Sequence, residues 1–270
     1  MSDLPSTLQP QVFRRTNKHE GWREVFSPRT GALQYLTYAR LVFGPEVRAH
    51  ALPGDETEWS IFCIQPPATV IVEGQRFELG KHDILYVPRR KPFEISGPAG
   101  SDLALGGSPA HIDAEPQLVR FHAIKDDPAF CIDVGSAELH TQRRIYNMLG
   151  TNVKASRLLA GFTVGTPGAW TSWPPHEHQE SKEEFYLFFD MPDPAFSVQF
   201  VYSTPDQMGF APVVRDGDCV SIPHGYHPTA AAPGFRTVFH WVMAAYDPDK
   251  HRDLRYGINV QPEYQNIKFL

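Results

Sequence analysis

Two segments of this 270-residue chain repeat one another, and that repeat limits the folds open to it more than any other feature. Gly80-Lys81-His82-Asp83-Ile84-Leu85-Tyr86-Val87-Pro88 carries an Asp-x₄-Pro pattern. Gly217-Asp218-Cys219-Val220-Ser221-Ile222-Pro223 carries it again, and counting on from each proline sets Pro92 where His227 stands. The chain is too long for one small barrel and long enough for two. Its 25 prolines and 20 glycines are spread along it, which favours many short strands and turns over long helices. The residues between fit: TEWSIFCIQ at 57–65 reads as a strand, as do residues 33–43. Residues 68–72 and 75–79 flank Glu73-Gly74 as a hairpin. The expectation is an all-β chain with an arm at 1–20, one β unit at 21–133, a second at 134–250 and a tail at 251–270. Residues 97–133 read as a linker with ill-defined strands, and a short helix is expected near Pro248 to Leu254.

The second unit carries the chemistry. In Trp173 to Pro192, WPPHEHQESKEEFYLFFDMP, His176 and His178 share one face if the segment is extended, since side chains alternate along a strand. Glu183 and Glu184 follow, and an inward Glu on a neighbouring strand would set a carboxylate beside the two imidazoles. Two His and one carboxylate suit a divalent first-row metal with positions left open, and His227 is a further candidate ligand. His-x-His pairs also occur as plain surface or packing pairs; here the acids and the downstream His argue for a site. His224, in the turn, reads as solvent-facing. The first unit has His50 and His82 between Trp22 and Phe93, neither in such a pair, and reads as a unit without metal ligands.

A net charge of −6 and the absence of a basic run disfavour nucleic acid and anionic membranes as partners. Three scattered cysteines make neither a disulfide framework nor a zinc site. The opening MSDLPSTLQPQVFRR lacks the apolar core of a secretory signal, and a cytoplasmic setting is expected.

The two motifs together, His-x-His with a Glu 5 or 6 residues on, then G-D-x₄-P-x-G-x-H, resemble the signatures of cupin barrels, which implies a bicupin of two tandem jelly-roll barrels. More can be matched. E-G-W at Glu20–Trp22, R-R-x-x-N at Arg143–Asn147, W-x-x-x-P-P-H-x-H at Trp170–His178, and V-R-D-G-D-C-V-S-I-P-H-G-Y-H-P-T-A-A-A-P-G-F at Val214–Phe235 resemble the 5-deoxy-glucuronate isomerase family of inositol catabolism. A sister family, the 5-keto-4-deoxyuronate isomerases of pectin breakdown, is similar too, and Phe189-Asp190-Met191 and Trp241 lean toward it.

The resemblance implies a metal-dependent aldose–ketose isomerase working through an enediolate on a small sugar-acid substrate, with Zn or Mn as cofactor. It implies His176, His178, Glu184 and His227 as the metal ligands. Counting from the aromatic strand selects Glu184, whereas generic cupin spacing from His178 selects Glu183; the acid left over would have an exposed carboxylate. Tyr186 and Glu183 are the candidate acid–base residues. Arg143 and Arg144 are the candidate partners of the substrate carboxylate. Tyr226 and Trp173 are candidates for the pocket wall, and Arg215 reads as structural. Cupins with long arms often pair through them, so a homo-oligomer is expected. An iron-dependent oxygenase and a non-catalytic sugar-binding bicupin remain as other readings of the same ligand set.

Overall fold

A computed structural model describes residues 8–178, 180–206 and 209–265. Among them the α-helical content is one turn, Phe121–Ile124, and the named strands pair antiparallel. In the N-terminal half a six-stranded sheet runs in the order Gln117–Val119, Ile84–Val87, Thr57–Gln65, Asp102–Pro109, Thr37–Val42, Gly21–Phe26. Against it lies a four-stranded sheet of Ala49–Leu52, Phe93–Ser96, Ala68–Val72 and Gln75–Leu79. Alternation along the strands turns Leu41, Ile61, Leu85 and Leu105 inward to meet Val70, Phe77 and Ile95 from the smaller sheet. The expected hairpin is present, with Val72 opposite Gln75 and both turn residues at positive φ, 47° at Glu73 and 86° at Gly74.

The C-terminal half repeats the plan. Its large sheet runs Gln11–Phe13, Cys219–Ile222, Lys182–Phe188, Val238–Ala245, Leu158–Gly165, Arg143–Leu149, Cys131–Val134. Its small sheet holds Trp170–Thr171, Thr229–Ala231, Ser197–Gln199 and Val213–Val214. The two large sheets pack back to back through an aromatic layer. Phe26 meets Phe185 with ring centroids 5.6 Å apart, and Phe62 stacks on His240 at 4.3 Å. Phe185 faces this layer, so Glu184 and Tyr186 on either side of it face the opposite way, into the second half.

The Asp-x₄-Pro repeat has a physical basis. Asp83 and Asp218 are both buried. Asp83 accepts hydrogen bonds from the backbone N–H groups of Gly80 and Phe121 and from Arg120. Asp218 accepts from the N–H groups of Arg215 and Arg15 and from Arg14. Each carboxylate ties its own turn to a segment that crosses it. The register extends the equivalence: Trp59 lies opposite Val87, the residue before Pro88, as Glu184 lies opposite Ile222, the residue before Pro223. A tryptophan in the apolar core therefore stands where the C-terminal half has an acid.

A second pair of acids joins the halves. Glu183, nearly fully buried, accepts the backbone N–H groups of Gln34, Tyr35 and Leu36 at 2.7 Å each. Reciprocally, Glu58 accepts those of Ser156, Arg157 and Leu158 at 2.6–2.9 Å, and the Tyr86 hydroxyl. Each half thus closes three orphan donors on the segment that leads into a strand of the other.

Four expectations are corrected. The strand expected over 33–43 begins only at Thr37, because residues 34–36 spend their N–H groups on Glu183. The linker expected over 97–133 contains Asp102–Pro109, a central strand. Its Gly106-Gly107 looks like a turn but is a close packing point: a Cβ on Gly106 would sit 2.9 Å from Val242 of the other half, and one on Gly107 2.7 Å from the Trp59 ring. The expected helix over 248–254 is a run of turns. Asp247 closes one turn there through the N–H groups of Asp249 and His251, and the Arg252 guanidinium then turns back onto the carbonyls of Gly150, Val153 and Leu158. Lastly, the expected arm and tail are built into the sheets: Gln11–Phe13 pairs with Cys219–Ile222, and Asn259–Val260 pairs with His176–Glu177. Residues 1–7 and 266–270 of that arm and tail lie outside the described residues.

Candidate metal centre and substrate pocket

Three imidazoles converge inside the second half. The candidate ligand atoms of His176, His178 and His227 all lie within 4.8 Å of one another. Glu184 joins them, with Oε2 3.3 Å from His227 Nε2 and 4.0 Å from His178 Nε2. The local structure explains each placement. Glu184 sits on the inward face of Lys182–Phe188. His227 follows Gly225, whose φ of 97° and 2.9 Å approach to the Tyr202 carbonyl leave no room for a side chain. His176 lies on a two-residue strand whose partner is the tail, Asn259–Val260, and not the Glu184 strand as the sequence suggests.

Backbone carbonyls set the tautomers. His176 Nδ1 faces Pro174 O at 2.9 Å, His227 Nδ1 faces Gly225 O at 2.9 Å, and His178 Nδ1 faces Gly257 O at 3.3 Å. Each Nδ1–H donates to its carbonyl, which leaves Nε2 as the free lone pair. His178 Nε2, His227 Nε2 and Glu184 Oε2 are buried without a hydrogen-bond partner. Buried polar atoms are normally satisfied, so three unpaired ones clustered together suit a site that could hold a cation. Burial first, and then the neighbouring imidazoles, hold His178 well below the usual histidine range and His227 at about 3. Burial also pushes Glu184 well above the carboxylate range, against the pull of Lys182. Neutral imidazoles are the metal-binding form, and a cation would supply the positive counter-charge that lets Glu184 ionise. The residues present fit a divalent metal.

Beside the cluster opens a cavity of about 230 Å³, suited to one small ligand. Its floor is the inner face of the large sheet. Tyr186 lies across from Trp241, Trp241 from Gly161, and Gly161 from Asn147. Gly161 is required there, since a Cβ would come within 2.4 Å of the Trp241 ring and 2.0 Å of Tyr146 O. Arg143 closes one side. Half-buried, it donates to the carbonyls of Thr141 and Trp173, and among the described residues no carboxylate lies within ion-pair distance of it. Burial pulls its pKa down to about 10. The Tyr186 hydroxyl meets Ser172 Oγ at 2.8 Å, and burial, then the nearby Glu184, raise its pKa well above the usual range.

Other expected site residues lie elsewhere. Glu183 faces away, committed to the N-terminal half; the acid left over at this site is buried, not exposed. Arg144, next along the strand from Arg143, points outward and pairs with Asp133. Tyr226 packs on Tyr202 outside the cavity. Trp173 contributes its carbonyl, while its ring lies between Trp170 and Tyr264. His224 is half-buried and contacts Leu8 O. Arg215 is structural, donating to the carbonyls of Pro194 and Ala195. Sequence reasoning missed Ser172, Asn147, Thr163 and Met243, and the tail residues Leu254, Arg255 and Ile258 that rim the mouth. The inward alternation from Arg143 to Asn147 was the signal for Asn147; no local pattern announces the tail.

An IolB-like protein from Salmonella typhimurium superposes with a TM-score of 0.79 at 21% identity, covering 94% of this chain and 97% of that one. Oxalate decarboxylase from Bacillus subtilis gives 0.61 at 15% identity, over 88% and 77%. The fold is the expected bicupin. A 5-deoxy-glucuronate isomerase from Geobacillus thermodenitrificans is 37% identical over 167 residues, 59% of this chain and 58% of that protein. Its counterpart in Bacillus subtilis is 26% identical over 179 residues, 62% of each. These alignments span less than two thirds of the length of the relatives. The KduI/IolB family model matches residues 31–257, well over half of the chain. The chain belongs to the KduI/IolB family.

Proposed function

We propose that this chain is a metal-dependent aldose–ketose isomerase that converts 5-deoxy-glucuronate to 2-deoxy-5-keto-gluconate. The observation that carries the reading is the cluster of His176, His178, His227 and Glu184, with Nε2 of His178 and His227 and Oε2 of Glu184 unpaired, beside a cavity also lined by a half-buried Arg143 with no carboxylate partner among the described residues. The names of the relatives supply the substrate. His176, His178, Glu184 and His227 would hold a divalent ion, with Zn and Mn the first choices. Such an ion would supply Lewis-acid stabilisation to a carbonyl oxygen and the hydroxyl beside it while a proton is moved between the two carbons. Arg143 binds the carboxylate at the far end of the sugar and so fixes which carbons face the cluster. Tyr186, kept protonated by burial, donates a hydrogen bond to a substrate oxygen, with Ser172 holding the hydroxyl in place. The apolar floor and the tail limit the water that reaches the reacting carbons.

The test is ketose formation from 5-deoxy-glucuronate followed by NMR, on protein whose metal content has been measured. An isomerase is indifferent to oxygen; oxygen consumption in place of ketose formation would move the reading to an oxygenase. Arg143→Gln is expected to raise KM about 10- to 100-fold, the worth of a charge-assisted bidentate contact, with a smaller change in kcat. An unchanged KM would remove Arg143 from the carboxylate site. A second reading, isomerisation of 5-keto-4-deoxyuronate, is favoured by the Phe189-Asp190-Met191 run and Trp241, and the same assay separates the two.

A further inference from the structure

The cavity holds polar groups that neither the cluster nor the carboxylate anchor uses. Gly161 has Trp241 directly across from it on one side and Asn147 on the other, and Thr163 stands two residues along on the same face. The Trp241 indole leans over Gly161: a Cβ there would sit 2.4 Å from Cζ2 and 2.9 Å from Cε2, the atom bonded to Nε1. The N–H edge of the ring therefore overhangs the glycine, on the side where Asn147 stands. Trp241 and Thr163 are each only 4% exposed, Asn147 is half-buried, and all three line the cavity. Among the described residues none of these three side chains makes a hydrogen bond, and their polar atoms are not sealed from water. An indole N–H donates, a threonine hydroxyl does either, and an amide offers donors and an acceptor, so together they can satisfy a sugar hydroxyl both ways.

Resting on the isomerase reading above, we propose that Asn147 and the Trp241 N–H, with Thr163 beside them, form a subsite for a sugar hydroxyl that takes no part in the reaction. In 5-deoxy-glucuronate the proton passes between C1 and C2, the carboxylate is C6, and the hydroxyls left over are those at C3 and C4. A hydroxyl held in the subsite pairs these side chains. A CH₂ in its place takes their water away and returns nothing, so the site demands an oxygen at that carbon. The role is binding and positioning, separate from the proton transfer.

The experiment measures kcat/KM for 5-deoxy-glucuronate and for its analogues lacking the hydroxyl at C3 or at C4, each referred to the free-aldehyde fraction found by NMR. Wild type, Asn147→Leu and Trp241→Phe are compared at matched metal content. Wild type is expected to disfavour one of the analogues by about 10- to 100-fold, the cost of leaving polar groups of the site unpaired. Asn147→Leu is expected to lower the value for 5-deoxy-glucuronate by a similar factor. On the disfavoured analogue it should act by less than about threefold, because the interaction it removes is already absent there. Trp241→Phe keeps an aromatic ring and deletes the N–H, and is expected to cost 5-deoxy-glucuronate about 3- to 10-fold while sparing the same analogue. Variants that lower all three sugars alike, or lower none, assign these side chains to packing and overturn the inference while the isomerase reading stands. Wild-type parity among the three sugars also overturns it, and needs no folded variant. Removing a hydroxyl makes the C2 proton less acidic, so parity cannot come from the chemistry. Failure of wild type to turn over 5-deoxy-glucuronate at all would defeat the isomerase reading and this inference together.

Discussion

His227→Ala is expected to lower kcat for 5-deoxy-glucuronate by about 1,000-fold or more and to leave the purified protein short of metal. His227 is nearly fully buried, its Nδ1 is committed to Gly225 O, and its Nε2 stands 3.3 Å from Glu184 Oε2 with no other partner. Lewis-acid stabilisation of a developing enediolate is worth several kcal/mol, and each 1.4 kcal/mol or so is a tenfold rate factor, so loss of the centre costs at least about three orders of magnitude. Metal per chain from elemental analysis and ketose formation from NMR should fall together. A variant that keeps a full metal complement and wild-type turnover would show that the cluster is not the reacting centre. The strands around it should stay folded, because His227 makes no sheet hydrogen bond of its own.

Glu183→Ala should act in the opposite way, on stability before catalysis. The substitution strands three N–H groups, those of Gln34, Tyr35 and Leu36, of which the Leu36 one is buried and the other two are partly open to water. At about 1–3 kcal/mol for the buried donor and less for the two that water reaches, a total of roughly 2–4 kcal/mol is expected, a large share of the 5–15 kcal/mol typical of a folded protein. Glu58→Ala should cost a similar amount, since it abandons Ser156, Arg157 and Leu158 in the same way. Denaturant midpoints measure both. A Glu183→Ala protein that unfolds with wild type would mean that the three donors find other partners. Whatever remains folded should keep most of its turnover, because the Glu183 carboxylate faces away from the cavity.

Much of this was legible because spacing carries it. The Asp-x₄-Pro repeat announced two similar β units, since each aspartate must reach its own turn and a crossing segment, a geometry that fixes its distance from the proline. His176, His178 and His227 could be picked out because a metal gathers residue types that are otherwise rarely grouped. Glu183 and Glu184 could not be separated by spacing alone, since adjacent residues on a strand face opposite sides and both sides here are buried. Their environments decide: one meets three amides, the other the imidazoles of His178 and His227. Arg143 and Arg144 pose the same problem, and the outward one finds Asp133. Asp102–Pro109 was hidden because its glycines answer to Val242 and Trp59, neighbours distant in sequence. The tail was hidden for the same reason, its partners being loops from the middle of the chain.

That tail reaches the candidate metal cluster at three points. Gly257 O receives His178 Nδ1, the Tyr256 carbonyl takes the buried Lys182 ammonium, and Asn259–Val260 extends the strand of His176. Burial brings the Lys182 pKa down to about 8. Linkage is reciprocal: if the docked tail orients two ligands and so strengthens metal binding, the bound ion must hold the tail down by the same free energy. Occupancy of the cluster by a cation would then be written into the protection of the amides of Asn259–Val260.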